Sequence, residues 1–157
     1  MHLLIKTEVA ASPDEVWRGF NRELFLALNP PFPPVRLHQF GMNAGDRVRL
    51  ELRFSGFVQH WVSYLPESGR TPGGGYYFVD TGEQLPFFLA SWQHRHGIEP
   101  TTGGGSVIID DIHFEGPHRI LSLLLYPALW LQFVYRKPIY RRFFGRPKAH
   151  SSFSTPG

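Results

Sequence analysis

The chain has 157 residues, of which 42% are hydrophobic and 15% aromatic, and its net charge is +3. A chain this apolar can bury a core of its own, which excludes a disordered protein and predicts one domain, residues 1–147, with a flexible tail, residues 148–157. Cysteine is absent, so disulfides, thiolate metal sites and a cysteine nucleophile are excluded. The lack of cysteine fits a cytoplasmic bacterial protein, and we interpret MHLLIKTEVAAS as a first strand and not as a signal peptide.

The first part of the chain predicts one strand and two short helices. Apolar and polar residues alternate in LLIKTEV, as in a strand. In SPDEVWRGF, Ser12 suits the N-cap, Pro13 the first helical position, and Glu15 completes a capping box. NRELFLAL predicts a second short helix, which the prolines of NPPFPP, residues 29–34, end.

The middle of the chain predicts strands joined by short turns. In RVRLELRF the apolar residues alternate with charged ones, which indicates a sheet with one dry face and one wet face. The other strands are predicted in VRLHQF, FVQHWVSYL, YYFVD, FFLASWQHRHGI and GSVIIDDIHFE. With the first strand this makes seven, and the short links favour antiparallel pairing. Two GGG runs, residues 73–75 and 103–105, lack the setting of a phosphate loop and predict hairpin turns.

The segment from Pro117 to Gly145 has the length of a helix, and Pro127 and Pro138 should kink or split it. Residues 120–135 carry no charge, but this run is shorter than the roughly 20 residues that span a membrane. A core helix gripped by the sheet is the simpler interpretation. The alternative is contact with an anionic membrane surface through the basic residues that follow, namely Arg136, Lys137, Arg141 and Arg142. The charge of the rest of the chain is nearly balanced, so nucleic-acid binding is not predicted.

One segment, residues 78–117, carries a composite motif: F-x-D, then P-F, then W-x-H-x-H, then D-x-I-x-F-x-x-P. It resembles the pattern of small bacterial members of the START/SRPBCC superfamily, which includes the birch-pollen allergen family and polyketide cyclase/aromatase-like proteins. The matching residues are Phe78, Asp80, Pro86, Phe87, Trp92, His94, His96, Asp110, Ile112, Phe114 and Pro117. Leu85 and Ile98 depart from it, standing where glycine and an aromatic residue are usual.

The order of elements and the resemblance together imply an α+β helix-grip fold. We expect a seven-stranded, curved antiparallel sheet wrapped around a long C-terminal helix, with two short helices after the first strand. The resemblance also implies a cavity for a hydrophobic small molecule between the sheet and that helix. Fold alone does not choose among the carriers, receptors and cyclases of the superfamily.

The two histidines of SWQHRHGIE share one face of a predicted strand with Trp92 and Ile98. If Ile98 lies opposite Ser106, then His96 lies opposite Ile108 and His94 lies opposite Asp110. A hydrogen bond between His94 and Asp110 would then form on the dry face and raise the pKa of the histidine.

Three interpretations of these histidines stay open: a structural pair, a polar anchor for a ligand, and a general acid/base. A His-x-His strand can also present two metal ligands, but the spacing of the possible further donors His60 and His113 does not favour them. No metal and no cofactor are therefore predicted.

We predict binding or transport of a hydrophobic or aromatic small molecule, or a lipid, rather than catalysis. One alternative is a polyketide cyclase/dehydratase-like enzyme in which His94 is the acid/base and Asp110 orients it. The other is an accessory protein with a filled core and no ligand. The predicted ligand-binding residues are Val48, Leu50, Leu52, Phe54, Phe78, Asp80, Trp92, His94, His96, Asp110, Leu124 and Trp130.

Overall fold

Seven antiparallel strands form one open sheet, and a long helix crosses its inner face. A computed structural model describes residues 1–147, and the predicted tail, residues 148–157, lies outside the described residues. The strands hydrogen-bond in the order β1-β7-β6-β5-β4-β3-β2. Their bounds are β1 His2–Val9, β2 Val35–Gln39, β3 Arg47–Phe54, β4 Phe57–Arg70, β5 Tyr76–Gln84, β6 Ser91–Pro100 and β7 Ser106–Glu115. The helices are α1 Pro13–Gly19, α2 Arg22–Leu28 and α3 Arg119–Phe144. This α+β helix-grip arrangement confirms the predicted fold class.

The two short helices begin at side-chain caps. The Ser12 hydroxyl accepts from the backbone N–H of Glu15, and the Glu15 carboxylate accepts from the backbone N–H of Ser12, so the predicted capping box is confirmed. Asn21 caps α2 by accepting from the backbone N–H of Leu24 at 3.0 Å. These caps hold α1 and α2 across one end of the sheet, where Val16 and Leu24 are fully buried.

Helix α3 runs unbroken for 26 residues through Pro127 and Pro138, so neither proline splits it as the sequence suggested. Each proline removes one backbone hydrogen bond, but the turns on either side are held by packing. The buried residues recur at helical spacing and are Ser122, Leu129, Phe133, Tyr140 and Phe144. None of the described helices combines the length and the apolar character that crossing a membrane requires.

The core consists of two apolar clusters that meet under α3. One joins α1, α2 and the end of α3, around Phe20, Phe78 and Tyr140. The other joins the middle of α3 to β1, β6 and β7, around Trp92 and Phe133. The two histidines lie where the clusters meet, since His96 stacks on Phe78 and His94 contacts the edge of Phe133.

The predicted turn between β6 and β7 is confirmed, and it offers a test of its glycines. A Cβ at Gly105 would lie 2.4 Å from the carbonyl oxygen of Val9, whereas a Cβ at Gly103 would meet no heavy atom within 4 Å. We expect Gly105→Ala to lower the free energy of unfolding by about 1–3 kcal/mol, and Gly103→Ala by less than about 0.5 kcal/mol. Urea denaturation measures both, and equal effects would contradict the close approach of β1 to this turn.

Candidate functional site

Alternation along β6 turns Trp92, His94, His96 and Ile98 inward, and all four are buried. The neighbouring strand β7 turns Asp110 inward as well, and this side chain is fully buried. The predicted sharing of one face by the histidines and Asp110 is therefore confirmed. A buried carboxylate beside two buried imidazoles is unusual enough to mark the centre of the molecule as the candidate site.

The predicted pairing of these strands is wrong by two residues. In the structure Ile98 pairs with Ile108, His96 with Asp110, and His94 with Ile112. Pairing continues to Pro100 and Ser106, so the turn contains only residues 101–105 instead of the seven residues that the sequence suggested. A shift of two residues keeps every side chain on its face. The predicted strand pairing was therefore wrong, but the predicted hydrogen bond between His94 and Asp110 is confirmed, at 3.0 Å.

Five side chains form what we call the inner polar cluster: Asp80, His94, His96, Asp110 and Arg136. Each histidine lies between two carboxylates. His94 Nε2 is 3.0 Å from Asp110 Oδ1, and His94 Nδ1 is 3.5 Å from Asp80 Oδ2. His96 Nε2 is 3.4 Å from Asp80 Oδ2, and its Nδ1 is 3.6 Å from Asp110 Oδ1. Strand pairing explains the arrangement, because Asp80 lies opposite His94 and Asp110 lies opposite His96.

Further contacts fix the carboxylates. Asp80 Oδ1 accepts from the Trp92 indole N–H at 2.8 Å and from the Ser63 hydroxyl at 3.0 Å, which leaves Oδ2 facing the histidines. From α3, Arg136 reaches in over the ring of Phe133, with its guanidinium carbon 3.9 Å from the ring centroid. Arg136 Nη1 then lies 3.9 Å from Asp110 Oδ1. The cluster therefore joins β5, β6, β7 and α3.

Burial and the neighbouring charges set opposite protonation states for the two histidines. Burial alone would lower the pKa of His94, but the carboxylates of Asp110 and Asp80 outweigh it and raise that pKa above its ordinary value. Burial, reinforced by the charge of His94, lowers the pKa of His96 to about 4. The protonated form is therefore favoured at His94, whereas His96 is neutral near neutral pH.

Burial alone would raise the pKa of each carboxyl group in the cluster. The histidines outweigh this effect at Asp80, and His94 with Arg136 does so at Asp110, so both pKa values lie below their ordinary range. The two carboxylates then balance the charges of His94 and Arg136. The cluster is electrically neutral, which is what a low-dielectric interior favours.

Several buried polar atoms at the cluster have no hydrogen-bond partner among the described residues. They are His96 Nδ1, Asp110 Oδ2, Arg136 Nε and the Tyr140 hydroxyl. Burial raises the pKa of Tyr140, so its hydroxyl keeps its proton and can donate. A buried polar atom without a partner costs about 1–3 kcal/mol. The centre of the molecule can therefore hydrogen-bond an additional polar group.

The structure brings most of the predicted site residues inward, but not those on the helix. Val48, Leu52 and Phe78 are buried, and Leu50 and Phe54 are half-buried. Leu124 and Trp130 are 66% and 47% exposed on the outer side of α3, so their predicted place in the lining is wrong. Leu129 and Phe133 face inward instead. Apolar residues surround α3 on every side, so its sequence does not reveal its rotation.

Sequence reasoning also missed three residues at the centre. Phe20 approaches His96 edge-on, with ring centroids 6.1 Å apart. Tyr140 is fully buried beside it, and Arg136, which the alternative interpretation placed at a membrane surface, points inward and is only 12% exposed. The position of Arg136 directly after the uncharged residues 120–135 was the available sign of an inward-facing charge. The same position is equally typical of a solvated helix end.

Two shallow clefts lie on the surface of the described residues. One is lined by Asp14, Trp17, Arg18 and Tyr76, and the other by Pro138, Arg141, Arg146 and Pro147. Neither contains a residue of the inner polar cluster. Aromatic side chains from both core clusters surround the histidines instead.

Within the described part of the chain, residues 1–147, two groups of residues offer donor atoms close enough for one metal ion. Asp80, His94 and His96 do so inside the protein, and His2, Asp111 and His113 do so at the surface, with the atoms of each group within 4.8 Å of one another. In the inner group, a protonated His94 between two carboxylates already explains the contacts and the charge balance. The absence of a metal stays a prediction.

Comparison with known proteins identifies the fold. No protein-family model matches the chain, and no curated protein matches its sequence. Among solved structures, it is similar to the Zhui aromatase/cyclase from Streptomyces sp. R1128, with a TM-score of 0.63 and 15% identity over 96% of this chain and 98% of that one. Protein CV1439 from Chromobacterium violaceum gives a TM-score of 0.69 and 14% identity over 93% and 98%.

A third similar structure is norcoclaurine synthase from Thalictrum flavum, solved with dopamine and hydroxybenzaldehyde. Its TM-score is 0.62, with 12% identity over 94% of this chain and 89% of that one. The structure therefore has the helix-grip fold that the order of elements and the motif predicted. Likeness at such low identity shows the fold, so function has to be argued from the site.

Proposed function

We propose that the protein binds a hydrophobic or aromatic small molecule, or a lipid, between the sheet and α3, and that the inner polar cluster holds its polar group. The observation that carries this proposal is the set of unpartnered polar atoms at the cluster inside an aromatic shell. Ligand sites of small molecules combine apolar walls with a few convergent polar groups. A hydroxyl, carbonyl or carboxylate on an apolar body would hydrogen-bond these atoms. The aromatic ligands in the norcoclaurine synthase structure belong to this chemical class.

A chain of packed aromatic side chains connects the surface to the core and would give an apolar ligand its way in. Phe54 contacts Phe57, Phe32 and Phe88, with ring centroids 5.0–6.4 Å apart. Phe32 and Phe57 are exposed, whereas Phe88 packs in the same core cluster as Trp61 and Trp92. The indole of Trp92 in turn donates to Asp80. An apolar molecule would follow this route without leaving aromatic surroundings.

Binding requires side chains to move, because neither surface cleft reaches the inner polar cluster. The start of α3 is one place where this cover could open, because it has no side-chain cap. His118 at its N-cap makes no side-chain cap hydrogen bond, and Leu123 and Leu124 in its first turns are exposed. We expect ligand to occupy a minor, opened state in which this end of α3 lifts from the sheet.

The fluorescent probe 1-anilinonaphthalene-8-sulfonate, an aromatic anion, tests the proposal. Trp61→Leu, on the inner route, should weaken binding of the probe about tenfold, because an aromatic contact and buried area are lost. Leu4→Gln, on the outer face of β1, should leave the affinity unchanged. Native mass spectrometry of the purified protein should also reveal a co-purifying small molecule. Loss of affinity in Leu4→Gln alone, or no bound molecule in either experiment, would contradict the proposal.

A cyclase/dehydratase-like reaction is the second candidate, and no specific observation favours it. The contact between His94 and Asp110 has the geometry of an oriented acid/base pair. However, both side chains are buried away from the two clefts, and the Nδ1 of His94 faces a second carboxylate. A protonated His94 held between Asp80 and Asp110 would be a poor base. The third possibility, a filled core without a ligand, is the outcome that failure of the probe experiment would support.

A further inference from the structure

The side of α3 that faces away from the sheet is apolar over most of its length. Six large side chains on this side are each between 44% and 73% exposed. They recur at helical spacing over residues 120–135, a run without any charge, so they form one stripe about 22 Å long. The outer stripe consists of Ile120, Leu123, Leu124, Trp130, Leu131 and Tyr135.

The core does not need this outer stripe, since Leu129, Phe133 and Tyr140 already fill the inner side of the helix. Single exposed apolar residues are ordinary on a protein surface, but a contiguous apolar patch of this extent marks an interaction site. The outer stripe therefore faces a partner.

Basic residues lie at both ends of the outer stripe. Arg119 precedes it, and Arg141, Arg142 and Arg146 follow it, all exposed. Within residues 1–147 none of these four forms an ion pair with a carboxylate. The exposed cations next to the apolar stripe are therefore available to an anionic partner.

We propose that the outer face of α3 docks on an anionic lipid surface. The helix lies parallel to the membrane, with the outer stripe at the boundary of headgroups and acyl chains and the arginines on lipid phosphates. Charge argues against a second copy of this chain as the partner. No acidic residue occurs between positions 116 and 147, so pairing two such helices would bring like charges together without compensation.

Sedimentation with vesicles tests this docking on the full chain. The protein should bind vesicles of phosphatidylcholine with phosphatidylglycerol, bind phosphatidylcholine alone at least tenfold less, and lose binding as sodium chloride is raised. Arg141→Glu/Arg142→Glu and Leu124→Gln/Leu131→Gln should each lower the partition coefficient about tenfold or more. Matched double substitutions on other exposed surfaces are Arg22→Glu/Arg36→Glu and Leu4→Gln/Val58→Gln, which should bind as the unchanged protein does.

Each alternative has a distinct outcome. Equal binding to neutral and anionic vesicles, binding to neither, or no effect of the α3 substitutions would overturn the proposal. So would a concentration-dependent dimer that Leu124→Gln/Leu131→Gln dissociates, because a second copy would then cover the outer stripe. Docking on lipid does not depend on the proposed internal ligand. Probe binding is measured without vesicles, so either proposal can fail while the other holds.

Discussion

Replacing Asp110 with alanine is expected to lower the free energy of unfolding by about 3–5 kcal/mol. Asp110 is fully buried, accepts from His94 Nε2 at 3.0 Å and lies 3.9 Å from Arg136 Nη1. Without Asp110, the buried cationic side chains of His94 and Arg136 share one remaining carboxylate, that of Asp80. The cost of desolvating the uncompensated positive charge is then not recovered. Chemical denaturation at neutral pH measures the loss.

The neighbouring residue provides a matched control for this prediction. Asp111 points to the opposite face, is one-third exposed and accepts from His2 at 2.8 Å. Because exposed pairs contribute at most about 1 kcal/mol, Asp111→Ala should have a small effect. Asp110→Asn keeps the shape of the side chain and one acceptor oxygen, so its loss of unfolding free energy should lie between those of Asp110→Ala and Asp111→Ala. If Asp110→Ala costs no more than Asp111→Ala, the inner polar cluster does not have the electrostatic role described above.

Stability is expected to pass through a maximum near pH 6.5 because the two histidines have opposite pKa shifts. His96, with its pKa lowered from 6.5 to about 4, stays neutral in the folded protein while the unfolded chain takes up a proton. Stability should therefore rise from pH 4 to pH 6.5, by about 3 kcal/mol from this residue. His94, with its raised pKa, keeps its proton in the folded protein, so its contribution is full below pH 6.5 and is lost as the pH rises through its folded value.

Substitution separates these two contributions. The free energy of unfolding is measured by denaturation at several pH values between 4 and 9. In His96→Gln it should no longer rise from pH 4 to pH 6.5, and in His94→Gln it should no longer fall at alkaline pH. His113→Gln, on the outer face, should keep both changes. The groups that face the histidines are Asp80 from β5, Asp110 from β7, and Arg136 and Tyr140 from α3. The pKa values of both carboxyl groups are lowered, so they add a further loss of stability only at the acidic end. A flat or monotonic curve for the unchanged protein would refute the assignment of protonation states.

These results bear on function as well as on stability. A cluster that is neutral overall but retains unpartnered polar atoms can exchange internal hydrogen bonds for those of a ligand at little electrostatic cost. Ligand binding and the opening of α3 would then be coupled through Arg136, because this residue belongs to the helix and reaches Asp110 on the sheet.

The sequence by itself determined the local features of this protein. Strand alternation assigned the inward faces of β6 and β7, and therefore the burial of His94, His96 and Asp110, because the period of a strand is fixed by its backbone. The Ser12 capping box was readable because all of its partners lie within one turn. The composite motif, together with the order of elements, predicted the helix-grip fold.

The sequence predicted the hydrogen bond between His94 and Asp110, but only the tertiary structure decided the strand pairing and the other contacts of the cluster. The position of the β6–β7 turn set the pairing of His96 with Asp110, and a shift of two residues leaves no trace in the alternation. The rotation of α3 put Arg136 inside and Trp130 outside, because a helix apolar on every side has no preferred face until the sheet, α1 and α2 close around it. The joining of Asp80 to both histidines depended on β5 as well as β6, a contact between strands that no local pattern encodes.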